Sequence, residues 1–157
     1  MARANLSREN GDSGERIVPE IVITDTPGQA AYDTILTGII AYNESQAAVP
    51  SGHRLLAVLV KDEAGKVLGG LWGMTGWRWL FVHLLWLPET LRGAGLGRDL
   101  LRRAEAEAAA RGCGNVWLDT YSFQARGFYE KFGYTVFGTL EDYPPGHRRV
   151  FLQKRLG

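Results

Sequence analysis

Apolar residues come in short runs separated by polar breaks. Residues 54–61, RLLAVLVK, are an apolar run of strand length. DEAGK at 62–66 breaks it around Gly65, and VLGGLWGMTGW at 67–77 resumes as a second, glycine-softened run. The pair predicts a hairpin. A third run, WLFVHLLWL at 79–87, follows the short Trp77-Arg78-Trp79 stretch and ends at Pro88. Upstream, IVPEIVIT at 17–24 predicts a strand, stopped by Thr26-Pro27-Gly28. QAAYDTILTGIIAYN at 29–43 spaces Tyr32, Ile35, Ile39 and Tyr42 as one face of an amphipathic helix.

The period changes after Pro88. From about 95 to 111, Leu96, Leu100, Ala104 and Ala108 line one helix face. Asp99–Arg103, Arg103–Glu107 and Glu107–Arg111 are opposite charges four apart, and Gly112 is the expected stop. NVWLDTY at 115–121 predicts a strand, and SFQARGFYEKFG at 122–133 a short helix ending on Gly133. YTVFGTLEDY and HRRVFLQKRL predict two closing strands around Pro144-Pro145-Gly146. The order is strand, helix, three strands, helix, strand, helix, two strands. It predicts an α/β (α+β) domain with helices packed on a sheet.

Composition narrows the class. The chain has 157 residues and is 45% hydrophobic, enough for one domain with a core. Residues 1–15, polar and rich in Gly, Ser and Asn, read as a loose arm, and 16–157 as a single domain. Eighteen Lys and Arg against seventeen Asp and Glu give +1, so no strong field draws nucleic acid or an acidic membrane. The apolar runs are too short to span a bilayer, and the N-terminus lacks a signal peptide's apolar stretch. Cys113 is the only cysteine, so an internal disulfide is excluded. Three scattered histidines do not form a metal site. These features point to a cytoplasmic protein.

The candidate chemistry lies between the third run and the helix that follows. Arg92-Gly93-Ala94-Gly95-Leu96-Gly97-Arg98 places three glycines at a helix start. Unpaired N–H groups and a partial positive charge gather there, and glycines let a ligand approach the backbone. Together they make a phosphate cradle, with Arg92 and Arg98 flanking it and Arg102 and Arg103 further along. No lysine completes a P-loop, and no third glycine completes a dinucleotide fingerprint. By glycine spacing alone, a tight strand–helix connection explains the turn equally well.

A second segment tips the balance. Arg92 through Gly97 has the form R-x-x-G-x-G after a strand ending in Leu87-Pro88-Glu89, and some thirty residues on comes Ala125-Arg126-Gly127-Phe128-Tyr129-Glu130-Lys131-Phe132-Gly133-Tyr134. The two motifs together resemble the GNAT superfamily of N-acetyltransferases. The resemblance follows the order of elements from about 17 to 155 and is sharpest over 80–135. It implies a mixed, mostly antiparallel sheet flanked by helices. It implies acetyl-CoA as cosubstrate, with Arg92, Gly93, Ala94, Gly95, Leu96, Gly97 and Arg98 on the pyrophosphate, mainly through main-chain N–H groups. Leu85 and Leu87 would pair through their backbone with the pantetheine arm. Ser122 stands where many members carry a cofactor-contacting Asn. Tyr129 matches the family's tyrosine that protonates the departing sulfur.

Thioester-to-amine transfer also needs the amine neutral. His83, nine residues before Arg92, suits a base, and its spacing is similar to that of a strand histidine with that duty in the superfamily. Strand alternation puts it on one face with Phe81, Leu85 and Leu87, opposite Val82, Leu84 and Trp86. Glu89, Asp119 and Glu44 are alternative bases, and core packing is the bland reading of both Tyr129 and His83. The implied reaction is direct attack by a primary amine, of a small molecule first and a protein second. A non-catalytic acyl-CoA-binding sensor or scaffold is the alternative. Relatives are often dimers, which implies a homodimer here. Cys113 reads as a small buried residue, and Arg148 and Arg149 as a solvated face. His53 reads as solvent-facing. Trp72, Trp77, Trp79, Trp86 and Trp117 read as packing, some of them lining an acceptor cleft.

Overall fold

A computed structural model describes residues 19–157. The expected arm and residues 17–18 of the expected first strand lie outside the described residues. The elements are helix α1 (Gly28–Ala47), strands β1 (Arg54–Lys61), β2 (Val67–Gly76) and β3 (Trp79–Trp86), helix α2 (Leu96–Ala110), strand β4 (Asn115–Tyr121), helix α3 (Arg126–Lys131) and strands β5 (Thr135–Glu141) and β6 (Arg148–Arg155). The strands form one sheet in the order β1-β2-β3-β4-β6-β5. Every neighbouring pair is antiparallel except β3 and β4. This is the mixed, mostly antiparallel sheet that the sequence implies.

One expected element is corrected. Residues 19–24 take no regular structure, and Ile21 and Ile23 are almost wholly exposed. A strand is stable only when its N–H and C=O groups find a ladder partner, and this segment enters no strand pairing. The chain divides between Ile39 and Ile40. Helix α1 crosses that point, and it carries the expected helical segment 29–43.

The two connections within β1–β3 are tight for different reasons. Asp62 Oδ1 accepts from the Lys66 N–H (2.9 Å), and Gly65 takes φ +82° to close the first turn. The second is a two-residue turn, with Gly76 paired to Trp79. Its central residues Trp77 and Arg78 have φ +45° and +63°, a region usually left to Gly or Asn. Each costs about 1–3 kcal/mol, so the surroundings must hold them there.

Helix α2 packs on β1, β2 and β3. Leu100, Leu101, Ala104 and Ala108 are its buried residues, three of the expected stripe with Leu101 added, while Leu96 is half-buried. Of the three expected charge pairs only Arg111–Glu107 forms (2.7 Å); Asp99 instead meets its neighbour Arg98 (2.9 Å). The helix ends as expected: Gly112 takes φ +82°, its N–H reaches Ala109 O (2.9 Å), and Cys113 N–H reaches Ala108 O (2.9 Å). Leu80, Val116, Leu118 and Leu152 are at most 1% exposed at the centre of the core.

Candidate active site

The sheet opens at β3 and β4. Their parallel ladder runs from Trp79↔Asn115 to Val82↔Leu118 and stops, although β3 continues to Trp86 and β4 to Tyr121. On the other side of β3 the register with β2 jumps from Gly73↔Val82 to Trp72↔Leu84. His83 is therefore the extra residue of a β-bulge, at the point where the two strands part.

The bulge corrects the expected alternation. Phe81 lies opposite Met74, but Leu85 lies opposite the buried Leu71, and both leucines pack in the core on the α2 side. Leu87 is buried there too, whereas Leu84 and Trp86 are exposed. His83 keeps company with Phe81 alone of its expected face-mates, the ring centroids 5.4 Å apart. Beyond the bulge, the backbone of residues 83–86 has no β4 partner.

A one-turn 3-10 helix, Glu89–Leu91, follows β3 and leads into the glycine turn. Gly93 and Gly95 take φ +83° and +84°. Gly95 caps α2 without any side-chain hydrogen bond, which leaves the N–H groups of Leu96, Gly97 and Arg98 without helical partners. A Cβ at Gly93 would meet nothing within 4 Å; one at Gly95 would lie 3.0 Å from the Arg98 guanidinium. Arg92 Nε donates to the Leu87 carbonyl (2.9 Å), tying the turn to the end of β3. Arg98 is half exposed and paired with Asp99.

The two sequence motifs meet in space. The Cβ position of Gly97 lies 3.5 Å from the Phe128 ring, so the glycine turn rests on α3. Tyr129 follows on α3, 8% exposed, its ring 5.1 Å from that of Phe128. Burial, with the Asp119 charge second, pushes its phenol up to about 12. The hydroxyl is thus a neutral donor at any physiological pH.

The other sequence candidates are otherwise engaged. Ser122 Oγ accepts from the Arg148 N–H (3.1 Å) and lies 3.4 Å from His147 Nδ1, holding the end of β4 to the start of β6. Glu44 Oε1 accepts from the Ser51 N–H (2.7 Å) and hydroxyl (2.6 Å), which holds its carboxyl below the usual range. Asp119 takes both Nε and Nη2 of Arg149 (2.7 and 2.9 Å). That corrects the reading of Arg149 as a solvated side chain: it sits among the rings of Tyr121, Tyr143 and Phe151, each 5.6–5.7 Å from its guanidinium carbon. Neither acid is a free base. Glu89 is exposed on the 3-10 turn. Cys113 is buried, and burial raises its thiol. Sequence reasoning missed the bulge, because an unbroken apolar run such as WLFVHLLWL hides a shift of register.

Cavities open beside the sheet. One of about 540 Å³ opens among Ser51, Arg54, Thr75, Arg78, Arg111 and Cys113, at the C-terminal end of α2. The helix's 15 residues, about 22 Å, separate that end from the glycine turn. A smaller cleft, of about 300 Å³, includes Phe81 and Trp117 in its lining.

Comparison with known proteins agrees with this geometry. The profile of the acetyltransferase (GNAT) family matches residues 26–134, more than half of the chain. The chain belongs to the GNAT family. This GNAT protein is 36% identical to an acetyltransferase of Agrobacterium fabrum over 134 residues, 85% of this chain and 97% of that one. It is 46% identical to blasticidin-S acetyltransferase of Streptomyces morookaense over 95 residues, 60% of this chain and 70% of that one. The crystal structure of an acetyltransferase from Bacillus cereus superposes with a TM-score of 0.76 at 35% identity, covering 88% of this chain and 98% of the other. The protein is an acetyltransferase enzyme. Among the described residues no helix is long and apolar enough to cross a membrane.

Proposed function

We propose that this GNAT enzyme moves the acetyl group of acetyl-CoA onto a primary amine of a small molecule by direct attack. The observation that carries the reading is the meeting of three features at one place. These are a stretch of β3 without a partner on its β4 side, a helix start with free N–H groups, and a buried neutral phenol on the helix against which that start rests. The residues fit acetyl-CoA. The Arg92–Arg98 turn offers main-chain donors in an open left-handed loop for a pyrophosphate. The β3 backbone at Leu85 and Leu87 offers amide groups to an extended arm; the Leu87 carbonyl is shared with Arg92. Ser122 contributes by fixing β4 to β6.

Acetyl-CoA supplies an activated thioester carbonyl when bound. His83, exposed at the bulge, takes the proton that the attacking amine must lose. Tyr129 gives its phenolic proton to the departing thiolate and regains one from solvent. One N–C bond forms and one C–S bond breaks. The exposed edge at His83 and the likeness to blasticidin-S acetyltransferase of Streptomyces morookaense both favour a small-molecule acceptor.

The test is direct. Protein, acetyl-CoA and a panel of primary amines are mixed and free thiol is followed, with coenzyme A affinity measured by calorimetry. Turnover with an amine, lost in Tyr129→Phe while affinity stays, supports the reading. Affinity without turnover on any amine replaces it with a binding module, and no affinity for coenzyme A removes it.

A further inference from the structure

The face of the sheet that carries Phe81 and His83 holds a feature that the transfer chemistry does not use. From His83 a ladder of rings runs across β3 and β4: His83 to Phe81 at 5.4 Å, then Phe81 onto Trp117 at 4.0 Å with the planes only 12° apart. The rings do not end in a closed core. Phe81 and Trp117 form one wall of the 300 Å³ cleft, whose other lining includes His53, Met74, Trp77 and Trp79; His83 stands outside the lining, next to Phe81. Trp77 and Trp79 remain more than one-third exposed, although each carries a large apolar surface.

Two backbone devices keep this cleft in shape. Trp77 stands at φ +45° in the two-residue turn, a conformation that a bulky residue adopts only under constraint. The Trp77 N–H is held by Ser51 O (2.7 Å), and its ring lies 5.7 Å from that of His53. At Gly76 a Cβ would overlap the His53 ring, so only glycine lets that ring lie against β2. A turn built merely to reverse the chain would do better with Gly or Asn at position 77. Tryptophan there burdens the turn while presenting an indole to the cleft.

We infer that this aromatic slot recognises the acceptor, and that the acceptor carries a planar conjugated ring a few bonds from its primary amine. The inference rests on the acetyltransferase reading of the same site. Continuity argues for the occupant: the rings lead from Trp117 through Phe81 to His83, so a ring seated at Trp117 with its amine directed along them approaches the base. Stacked or edge-on ring contacts add about three- to tenfold in affinity each over burial alone. A saturated ring of equal size fills the slot without that gain.

The experiment compares 2-phenylethylamine with 2-cyclohexylethylamine, near equals in size that differ in planarity. The expected result is a kcat/KM at least tenfold higher for the phenyl compound, expressed in KM. Trp79→Leu and Trp117→Leu are expected to reduce that preference to within about threefold, with Trp79→Phe retaining most of it and coenzyme A affinity by calorimetry unchanged. Trp77→Asn separates recognition from folding. It is expected to hold or raise the urea midpoint, since Asn tolerates a left-handed φ, while reducing the preference. A destabilised Trp77→Asn with intact preference makes the indole structural and overturns the slot. Equal turnover of the two amines by the unaltered enzyme overturns it as well, and leaves the acetyltransfer reading standing. Failure of that reading shows separately, as absent coenzyme A affinity. In that event the slot is read by quenching of tryptophan fluorescence on titrating 2-phenylethylamine into the protein alone, and no quenching overturns it.

Discussion

Tyr129 and His83 would do opposite jobs, and their surroundings already differ. Tyr129 is 8% exposed, and burial lifts its phenol to about 12, so it holds its proton wherever the enzyme works. Tyr129→Phe keeps the packing and removes the donor, and a positioned general acid contributes about 10²–10⁴-fold. A kcat drop of that order is expected, with coenzyme A affinity retained; a change below about threefold assigns the residue to packing. No loss of kcat through this phenol is expected below about pH 11, which a pH–rate profile reads. His83 is exposed at the bulge. His83→Gln is expected to lower kcat/KM by a similar order while coenzyme A affinity stays. The motif around Tyr129 was legible in the residues. Core packing was one reading of Tyr129; what the six-residue helix α3 could not show in residue order is the packing of its ring against Phe128 and Tyr134.

At the scale of the element, the glycine turn and the β4–β6 pair are the parts that a substitution can separate. Gly93 and Gly95 both require a left-handed φ, so alanine at either costs about 1–2 kcal/mol. At Gly95 it also presses the Arg98 guanidinium, whereas at Gly93 it meets open space. Both changes are expected to lower the urea midpoint, and both to weaken coenzyme A binding by calorimetry if the turn is the cradle. Loss of stability with unaltered affinity would place the pyrophosphate elsewhere. Asp119→Asn leaves the Arg149 guanidinium without its carboxylate, and a hydrogen bond to a charged group is worth about 1.5–3 kcal/mol. The expected result is destabilisation of that order in urea. The Tyr129 phenol should also fall somewhat, yet stay above its ordinary value, because burial is the larger cause of its rise.

Across the whole molecule the core dominates stability. Leu118 and Leu152 are at most 1% exposed, and Leu118→Ala is expected to cost about 2–5 kcal/mol by urea denaturation. Alkali acts through the buried phenols. Tyr129 and Tyr134 both hold their protons more tightly folded than unfolded, Tyr134 by burial first and then Glu105. Their stabilising effect is complete below about pH 10 and is lost as pH rises through the folded values. For Tyr129 that window is about pH 10 to 12, worth about 3 kcal/mol. Urea titrations at pH 9, 10 and 11 are expected to show falling stability, with a shallower fall in Tyr129→Phe.

Local pattern determined much of this protein. The runs at 54–61, 67–76 and 79–86, the α2 stripe, the Gly112 stop and the two motifs all depend on neighbours within a few turns or pleats, and near-neighbour chemistry is written in residue order. Residues 19–24 show the limit, since a strand exists only by grace of a partner. Tertiary structure alone decided the rest. Where the β3–β4 ladder ends, which way Leu85 faces after the bulge, that Gly97 rests on Phe128 and that Asp119 is claimed by Arg149 are contacts between residues distant in the chain. An apolar run has the same composition in either register, so only the strands beside it can choose between the two.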